Sequence, residues 1–187
     1  VTKNSMQKDD DLIREILDFW FSNEVRPLWF NSTPEFDELL RSRYEDVWGL
    51  ARANSYDHWE QEPEGALALV IIIDQFPLNM FRDDARQYST EAHARRIAKS
   101  AIEQGFDQRL TGQQKAFLYL PFMHSESIED QNTSVALYEK AGLEDNLRYA
   151  MHHREVIKRF GRFPHRNQVL GRDSSEEELE YLQQANN

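Results

Sequence analysis

The sequence predicts an all-α fold of about eight helices arranged in stacked antiparallel pairs. Apolar residues recur at helical spacing along most of the chain, and helix caps and glycine stops divide it into segments. No alternating apolar pattern bounded by hairpin signals predicts a strand. The glycine stops at Gly105 and Gly142 lie 37 residues apart, a spacing typical of stacked helix pairs.

The first three helices follow from apolar stripes and caps. The first stripe consists of residues that share one helix face: Ile13, Ile16, Leu17 and Trp20. Thr33 suits the N-cap of a second helix, and Pro34 suits its first turn. A third helix opens at 62–64 and is apolar on nearly all sides over 66–73, so we expect it at the centre of the fold. Pro77 should end or kink this helix.

The remaining helices are bounded by caps and by glycines that favour a left-handed end. Ser89 or Thr90 suits the N-cap of a helix that stops at Gly105. The other predicted boundaries are a capping box at 111–114, helices over 128–141 and 144–160 that stop at Gly142 and Gly161, and a short final helix after Ser174 and Ser175.

The composition is typical of one globular domain, over residues 11–187, preceded by a flexible segment over 1–10. No signal peptide is visible in these first ten residues. The longest apolar run, 66–73, has eight residues, whereas a membrane span needs about twenty. The net charge of −11 argues against binding to nucleic acid or to an anionic membrane surface.

Cysteine is absent, which excludes disulfides and thiolate metal sites and fits the reducing cytoplasm, where we expect the protein. The chain also lacks the glycine-rich phosphate loops, the zinc-protease and di-iron motifs and the nucleophile elbow of the common esterases. We therefore predict no metal site and no cofactor, and the oligomeric state stays open.

The segment 154–172 differs in charge from the rest of this acidic chain. It contains six basic residues, at positions 154, 158, 159, 162, 166 and 172, against the single acid Glu155. Gly161 lets the chain reverse and Pro164 fixes the residues that follow, so the segment is suited to hold its guanidinium groups in fixed directions. Arginine forks bind carboxylates and phosphates at two points, so the segment predicts an anion site. The alternative is that these arginines neutralise the chain's own acids.

Asp74 follows four branched aliphatic residues and should be buried near a helix end, where negative charge is disfavoured. A buried carboxylate needs a cation or several hydrogen-bond donors. We therefore expect an arginine partner, either Arg82 or an arginine of the 159–172 segment. A structural ion pair and a role in a ligand site are both compatible with this expectation.

Histidines provide the second group of candidates. His124 and Glu126, in a connection broken by Pro121, suit a general acid/base pair; alternatively, Ser125, Glu126 and His124 only cap a helix. His153 shares a helix face with Val156, Ile157 and Phe160 and should point inward, whereas His152 should point outward. The two rings diverge by about 100° and cannot bind one metal ion together.

At these residues the chain resembles the bacterial family catalogued as domain of unknown function 924. The resemblance rests on the first helix and on four later blocks: 16–21, 74–77, 119–122, 124–126 and 153–172. It implies an all-α fold of the tetratricopeptide-like superfamily, a right-handed helical array, and it implies no established activity. Two departures are Leu78, where the family usually has arginine, and Met123, where it usually has an acid.

Three hypotheses follow. The first is a binding module with a polar pocket for a small anion or an acidic peptide end. The second is a hydrolase or transferase on an anionic substrate, with His124 or His165 as acid/base, Glu126 orienting it and arginines stabilising negative charge. The third is that the polar residues only hold the fold together. The candidate ligand-binding residues are Asp74, Arg82, His124, Glu126, His153, Arg162, His165, Arg166, Asn167 and Arg172.

Overall fold

The computed structural model describes residues 3–185, and this part of the chain contains helices and no strands. The prediction of an all-α fold with about eight helices is confirmed. The α-helices are α1 (Lys3–Trp20), α2 (Pro34–Arg52), α3 (Pro63–Val70), α4 (Phe76–Met80), α5 (Glu91–Glu103), α6 (Gly112–Met123), α7 (Ile128–Ala141), α8 (Glu144–Phe160) and α9 (Glu176–Ala185). The right-handed, tetratricopeptide-like stacking stays a prediction.

The chain forms two compact units. The first unit runs to Arg82 and resumes over Arg86–Pro121, and the second contains Asp83–Ala85 and the described residues from Phe122 onward. The single domain over 11–187 stays a prediction. Residues 3–10 of the segment predicted to be flexible belong to α1, and residues 1 and 2 lie outside the described residues.

The helix ends follow the capping chemistry read from the sequence. The Thr33 hydroxyl accepts a hydrogen bond from the Phe36 N–H at 3.3 Å, with Pro34 in the first turn. Thr111 and Gln114 form the reciprocal pair of a capping box, at 3.0 and 3.3 Å. The glycines that follow α5, α7 and α8 all have positive φ, which glycine adopts without strain: Gly105, Gly142 and Gly161.

The helical segment that passes through the middle of the first unit continues past Pro77. Residues 66–73 are buried, as predicted for a central helix. The backbone widens into a π-helical turn over Ile71–Gln75, in which the Phe76 N–H bonds to the Ile71 carbonyl, and then resumes as α4. Proline has no N–H to donate to the carbonyl four residues earlier, here that of Ile73, and its ring would collide with it. The π turn moves that carbonyl aside, so Pro77 alters the helix without ending it.

Thr90 satisfies the carbonyl that Pro77 leaves without an amide partner. Its hydroxyl donates to the Ile73 oxygen at 2.6 Å and accepts from the Trp48 indole N–H at 3.3 Å. Thr90 occupies the N-cap position of α5, as predicted, but its side chain makes no capping bond because the hydroxyl is directed at Ile73. One buried hydroxyl therefore connects α2, the π turn and the start of α5.

Gly65 allows α3 to approach the preceding 3-10 turn, Asp57–Gln61. A Cβ atom at position 65 would lie 2.2 Å from the carbonyl oxygen of Trp59, a distance that real Cβ atoms do not adopt. The Trp59 side chain is itself buried, at 3% exposure. This backbone contact fixes the position of the turn.

In the second unit, α7 packs against α8. Val156 and Ile157 from α8 form a small core with Phe163, which follows the helix in sequence. The side-chain amide of the fully buried Gln131 donates to the carbonyls of Met123 and Ser125, both at 2.7 Å. Gln131 thereby satisfies carbonyl oxygens at the end of α6, which lack partners within the helix.

Within residues 3–185, no helix has the length and hydrophobicity needed to cross a membrane.

We expect Thr90→Val to lower the free energy of unfolding by about 2–4 kcal/mol. Valine has the shape of threonine but leaves the Ile73 carbonyl and the Trp48 N–H buried without partners, at about 1–3 kcal/mol each. Urea unfolding monitored by circular dichroism measures the change. Ser89→Ala is the matched control, because that hydroxyl is exposed and bonds only to the Arg86 carbonyl at 2.8 Å. Equal stability of the two variants would contradict the role assigned to Thr90.

Candidate functional site

The basic segment over 154–172, predicted as a site, lies in the second unit. It starts within α8 and continues past the end of that helix. Gly161 reverses the chain with a φ of 70°. Phe163 turns inward at 2% exposure, and a short 3-10 turn follows over Pro164–Arg166. The Arg172 amide closes the segment by donating to the Asn167 carbonyl at 2.8 Å. The arginines therefore project from a backbone that is fixed at several points.

Arg172 and Glu126 form a two-point ion pair at the centre of this segment. The two guanidinium N–H groups donate to the two Glu126 oxygens at 2.8 and 2.9 Å. Arg172 also donates to the Asn167 side chain at 2.9 Å and to the Phe163 carbonyl at 3.1 Å. Burial alone would raise the pKa of Glu126, but the bonds from Arg172 and from the Phe163 N–H lower it.

Arg162 is paired in the same manner with Glu178 of α9. It donates to the two carboxylate oxygens at 2.7 and 2.9 Å and to the Asp173 carbonyl at 2.7 Å. Glu178 also accepts from the Ser175 N–H, while the Ser175 hydroxyl accepts from the Glu178 N–H, so these two residues form a capping box. These hydrogen bonds, chiefly those from Arg162, lower the pKa of Glu178 to about 2.

Arg166 and Asn167 are buried. The Arg166 guanidinium donates to the His124 carbonyl at 2.8 Å and lies over the Phe163 ring, 4.8 Å from its centroid. The Asn167 amide donates to the Ser174 hydroxyl at 3.0 Å. The structure thus brings together most of the predicted site residues of the second unit, and it uses Arg162 and Arg172 as internal counterions, the alternative named for this segment.

Histidines surround the Phe163 ring. His153 packs against it edge-on, with ring centroids 5.5 Å apart, and the centroid of the His165 ring lies 5.7 Å from that of Phe163. The Nδ1 atom of His153 is 2.8 Å from the Tyr149 carbonyl. His153 is partly buried and His152 exposed, in the directions predicted for these neighbours.

The pKa values of these histidines are depressed. Burial lowers the pKa of His153 to about 4, and the proximity of His124, His152 and His165 adds to the effect. The pKa of His165 is also lowered, first by desolvation of its ring and then by the charge of Arg166. His153 is therefore neutral at pH 7, and its ring takes up a second proton only in acid solution.

The first unit contains the two other predicted site residues. Asp74 is buried in the π turn and accepts from the Gln75 amide at 2.6 Å. Arg82, one of the two partners expected for Asp74, donates to both oxygens of Asp37 at 2.6 and 3.1 Å. The Ser32 hydroxyl also bonds to Asp37, at 2.6 Å. The expectation that Asp74 lies at a helix end was wrong, since the helix continues through Pro77.

The capping alternative for His124–Glu126 also requires correction. Ser127, not Ser125, is the N-cap of α7 and accepts from the Asp130 N–H. The Ser125 hydroxyl instead donates to the Asp130 carboxylate at 2.5 Å. Glu126 points away from α7 toward Arg172, because the two-point ion pair and the Phe163 N–H together satisfy both of its oxygens.

Two surface cavities are separate from the basic segment. One, of about 520 Å³, lies in the first unit and is lined by apolar and acidic residues together with one arginine, among them Glu15, Asp18, Phe19, Leu39 and Arg43. The other, of about 540 Å³, lies along α8 and is lined by Asp145, Arg148, Tyr149 and His152. Neither cavity is lined by residues of 159–172.

Both the sequence and the fold match those of known proteins. The model of a family described as bacterial protein of unknown function, DUF924, matches residues 16–186. The chain belongs to this family. The solved structure of the protein of unknown function ATU0120 from Agrobacterium tumefaciens shares 38% sequence identity with this chain at a TM-score of 0.88. The match covers 94% of this chain and 98% of that one. None of the curated proteins matches the chain.

The sequence identified the arginines of this DUF924 member as site candidates, but it did not identify Glu178 as the partner of Arg162. The signal was present, since Ser175 and Glu178 have the spacing of a capping box. The same carboxylate that caps α9 also neutralises Arg162. The bond from the Phe163 backbone to Glu126 has no sequence signal, because it depends on where two distant segments meet.

We expect Arg172→Ala to lower the free energy of unfolding by about 3 kcal/mol, because it leaves a half-buried Glu126 without its cation. Arg159→Ala is the matched control. Arg159 pairs with Glu177 at 2.7 Å, but both side chains are at least half exposed, and such pairs contribute about 0–1 kcal/mol. Chemical denaturation of both variants measures the difference. Similar losses of unfolding free energy in the two variants would contradict the stabilising role of the ion pair between Arg172 and Glu126.

We expect acidification to destabilise the protein through His153. Its folded pKa of about 4 lies below the ordinary value of 6.5, so between these pH values the unfolded chain binds the extra proton. Stability is thus retained above pH 6.5 and lost as the pH falls toward 4, by about 2 kcal/mol between pH 7 and pH 5.

Unfolding free energies of the wild type and of His153→Gln at both pH values measure this contribution. Glutamine does not titrate, so the variant should lose about 2 kcal/mol less than the wild type on acidification. An identical pH response of the two proteins would show that the imidazole of His153 is not the group responsible.

Proposed function

We propose that this DUF924 protein is a helical binding module whose second unit takes a small anion or the acidic end of a peptide. The ligand would contact His165 and His153 beside Phe163, with the positive charge of Arg166 nearby. The observation that carries the proposal is the grouping of imidazoles with cations at one place on a protein that is acidic elsewhere.

The proposal divides the predicted site residues into two roles. Arg162, Arg172, Glu126 and Asn167 would hold the segment in shape, since their side chains bond to one another or to neighbouring groups. The histidines would supply the ligand contacts. His165 is exposed, and His153 is partly buried, so an incoming ligand can reach the first ring without unfolding the segment.

Charge explains why an anion is the preferred ligand. Each imidazole resists protonation because its ring is desolvated and other positive groups lie nearby, and an anion that binds beside it would favour the protonated form. Imidazole N–H groups and a guanidinium are also donors suited to carboxylate and phosphate oxygens. Binding should therefore be accompanied by proton uptake by these histidines.

A hydrolase or transferase acting on an anionic substrate is the second candidate. It is favoured by the exposed imidazole of His165 beside Arg166, where a general acid/base could reach an anionic substrate. In this version Glu126 would position the basic segment through Arg172 and would not orient His124. We also propose a cytoplasmic location, whether the protein is a binding module or an enzyme.

The test uses NMR titration of the histidine ring signals with inorganic phosphate, acetate and a short peptide, as the free carboxylate and as the C-terminal amide. We expect the His165 and His153 signals to shift with the anions and with the free peptide end. His165→Ala should weaken binding at least tenfold, which corresponds to about 1.4 kcal/mol.

His58→Ala is the control, because His58 belongs to the first unit, where it pairs with Asp9 at 2.7 Å. It should bind as the wild type does. Equal loss in the two variants, or no ring shift with any of the probes, would overturn the proposal. Release of product from a phosphate or carboxylate ester by the wild type but not by His165→Ala would favour the enzyme.

A further inference from the structure

Three potential metal-ligating side chains converge in the first unit, on residues that the sequence did not single out. Asp57 and Glu60 come from the 3-10 turn Asp57–Gln61, and His93 comes from the first turn of α5. One carboxylate oxygen of each acid and a ring nitrogen of His93 lie within 4.8 Å of one another. All three residues are only partly exposed.

The local backbone explains why the two carboxylates lie together. A 3-10 helix has three residues per turn, so side chains three positions apart, such as those at 57 and 60, lie on the same face. The turn is fixed in position by Trp59, whose backbone carbonyl contacts α3 at Gly65. The third ligand cannot be read from sequence spacing, because His93 is 33 positions after Glu60 and is brought there by the packing of α5 on the turn.

Two of these side chains have buried atoms without hydrogen bonds. Asp57 Oδ1 and His93 Nε2 are both inaccessible to solvent and make no hydrogen bond, and they face each other at 3.6 Å. Buried polar atoms are nearly always satisfied, because leaving one without a partner is costly. A cation shared by the two atoms, or the proton of the Nε2–H tautomer, would satisfy both of them.

We propose that Asp57, Glu60 and His93 form a binding site for a divalent transition-metal ion of the zinc type. The inference is independent of the function proposed for the second unit. Imidazole nitrogen with two carboxylates is a ligand set that zinc and its neighbours accept, whereas calcium and magnesium require oxygen ligands.

The spacing of the ligand atoms fits such an ion. Two ligands at about 2.1 Å from a tetrahedral zinc ion lie about 3.4 Å apart. The 3.6 Å between Asp57 Oδ1 and His93 Nε2 is close to this value. The widest pair, within 4.8 Å, would close by up to about 1.4 Å. Three protein ligands leave one coordination position for water or a ligand, as in catalytic zinc sites.

Arg96 modulates the site. Its guanidinium donates to the two Glu60 oxygens at 3.0 and 2.8 Å, so Glu60 is already partly neutralised. Each carboxylate oxygen has a second lone pair that a metal ion can use. The ion would nevertheless compete with the arginine charge. Removal of Arg96 should therefore strengthen metal binding, whereas a merely structural cluster would be weakened by the same change.

The experiment measures binding of Zn²⁺ by calorimetry and of Co²⁺ by its visible absorption, on the full chain freed of metal with a chelator. We expect one equivalent to bind, with a d–d spectrum typical of a site with nitrogen and oxygen ligands. His93→Gln and Asp57→Asn should each weaken binding at least tenfold, and Arg96→Gln should strengthen it at least threefold. Two ligand variants are used so that one misfolded protein does not decide the result.

His58→Gln is the control, because His58 belongs to the same turn but pairs with Asp9 at 2.7 Å and is half exposed. It should bind as the wild type does. The proposal is overturned if the wild type binds no zinc, if folded His93→Gln and Asp57→Asn bind it unchanged, or if His58→Gln causes the same loss. Equal affinity for Mg²⁺ or Ca²⁺ would also overturn it, by indicating a nonspecific acidic surface.

Discussion

The requirement that every buried backbone group have a partner governs the first unit. Pro77 removes one amide from a helix that is buried on all sides, and the π turn before it exposes the Ile73 carbonyl to a side-chain donor. The Thr90 hydroxyl supplies that donor and also receives the Trp48 N–H. The positions of α2 and of the start of α5 are thus both linked to the π turn through Thr90. Asp74 and Gln75, the polar pair of this helix, occur within the same π turn.

In the second unit, charge compensation has the corresponding role. The chain has 33 acids and 22 basic side chains, so cations are scarce. Arg162 and Arg172 are each bound at two points by a carboxylate from another segment. Fixed arginines determine where Phe163 and its surrounding histidines lie. A ligand that came to this surface would meet an arrangement set before its arrival, which reduces the ordering that binding requires.

The sequence predicted helix ends well, because a cap or a glycine stop acts within a few residues. The bounds of α7 and α8 agree with the prediction at both ends. It predicted side-chain partners less well, because an ion pair such as Arg162–Glu178 depends on how distant segments pack. Arg82 had several acids within reach and is paired with Asp37. The cluster at Asp57, Glu60 and His93 was missed for the same reason, since no local pattern relates His93 to the turn.

The π turn also restricts how this chain can change in length. It accommodates one more residue per hydrogen-bonded ring than an α-helix does, so loss of a single residue between 71 and 75 would restore ordinary helix geometry. The ring of Pro77 would then collide with the carbonyl four residues before it, which the wider turn avoids. Surface loops, in contrast, absorb insertions and deletions at small entropic cost. Relatives of this protein should therefore differ in length at their connections and keep the residue count of the central helix constant.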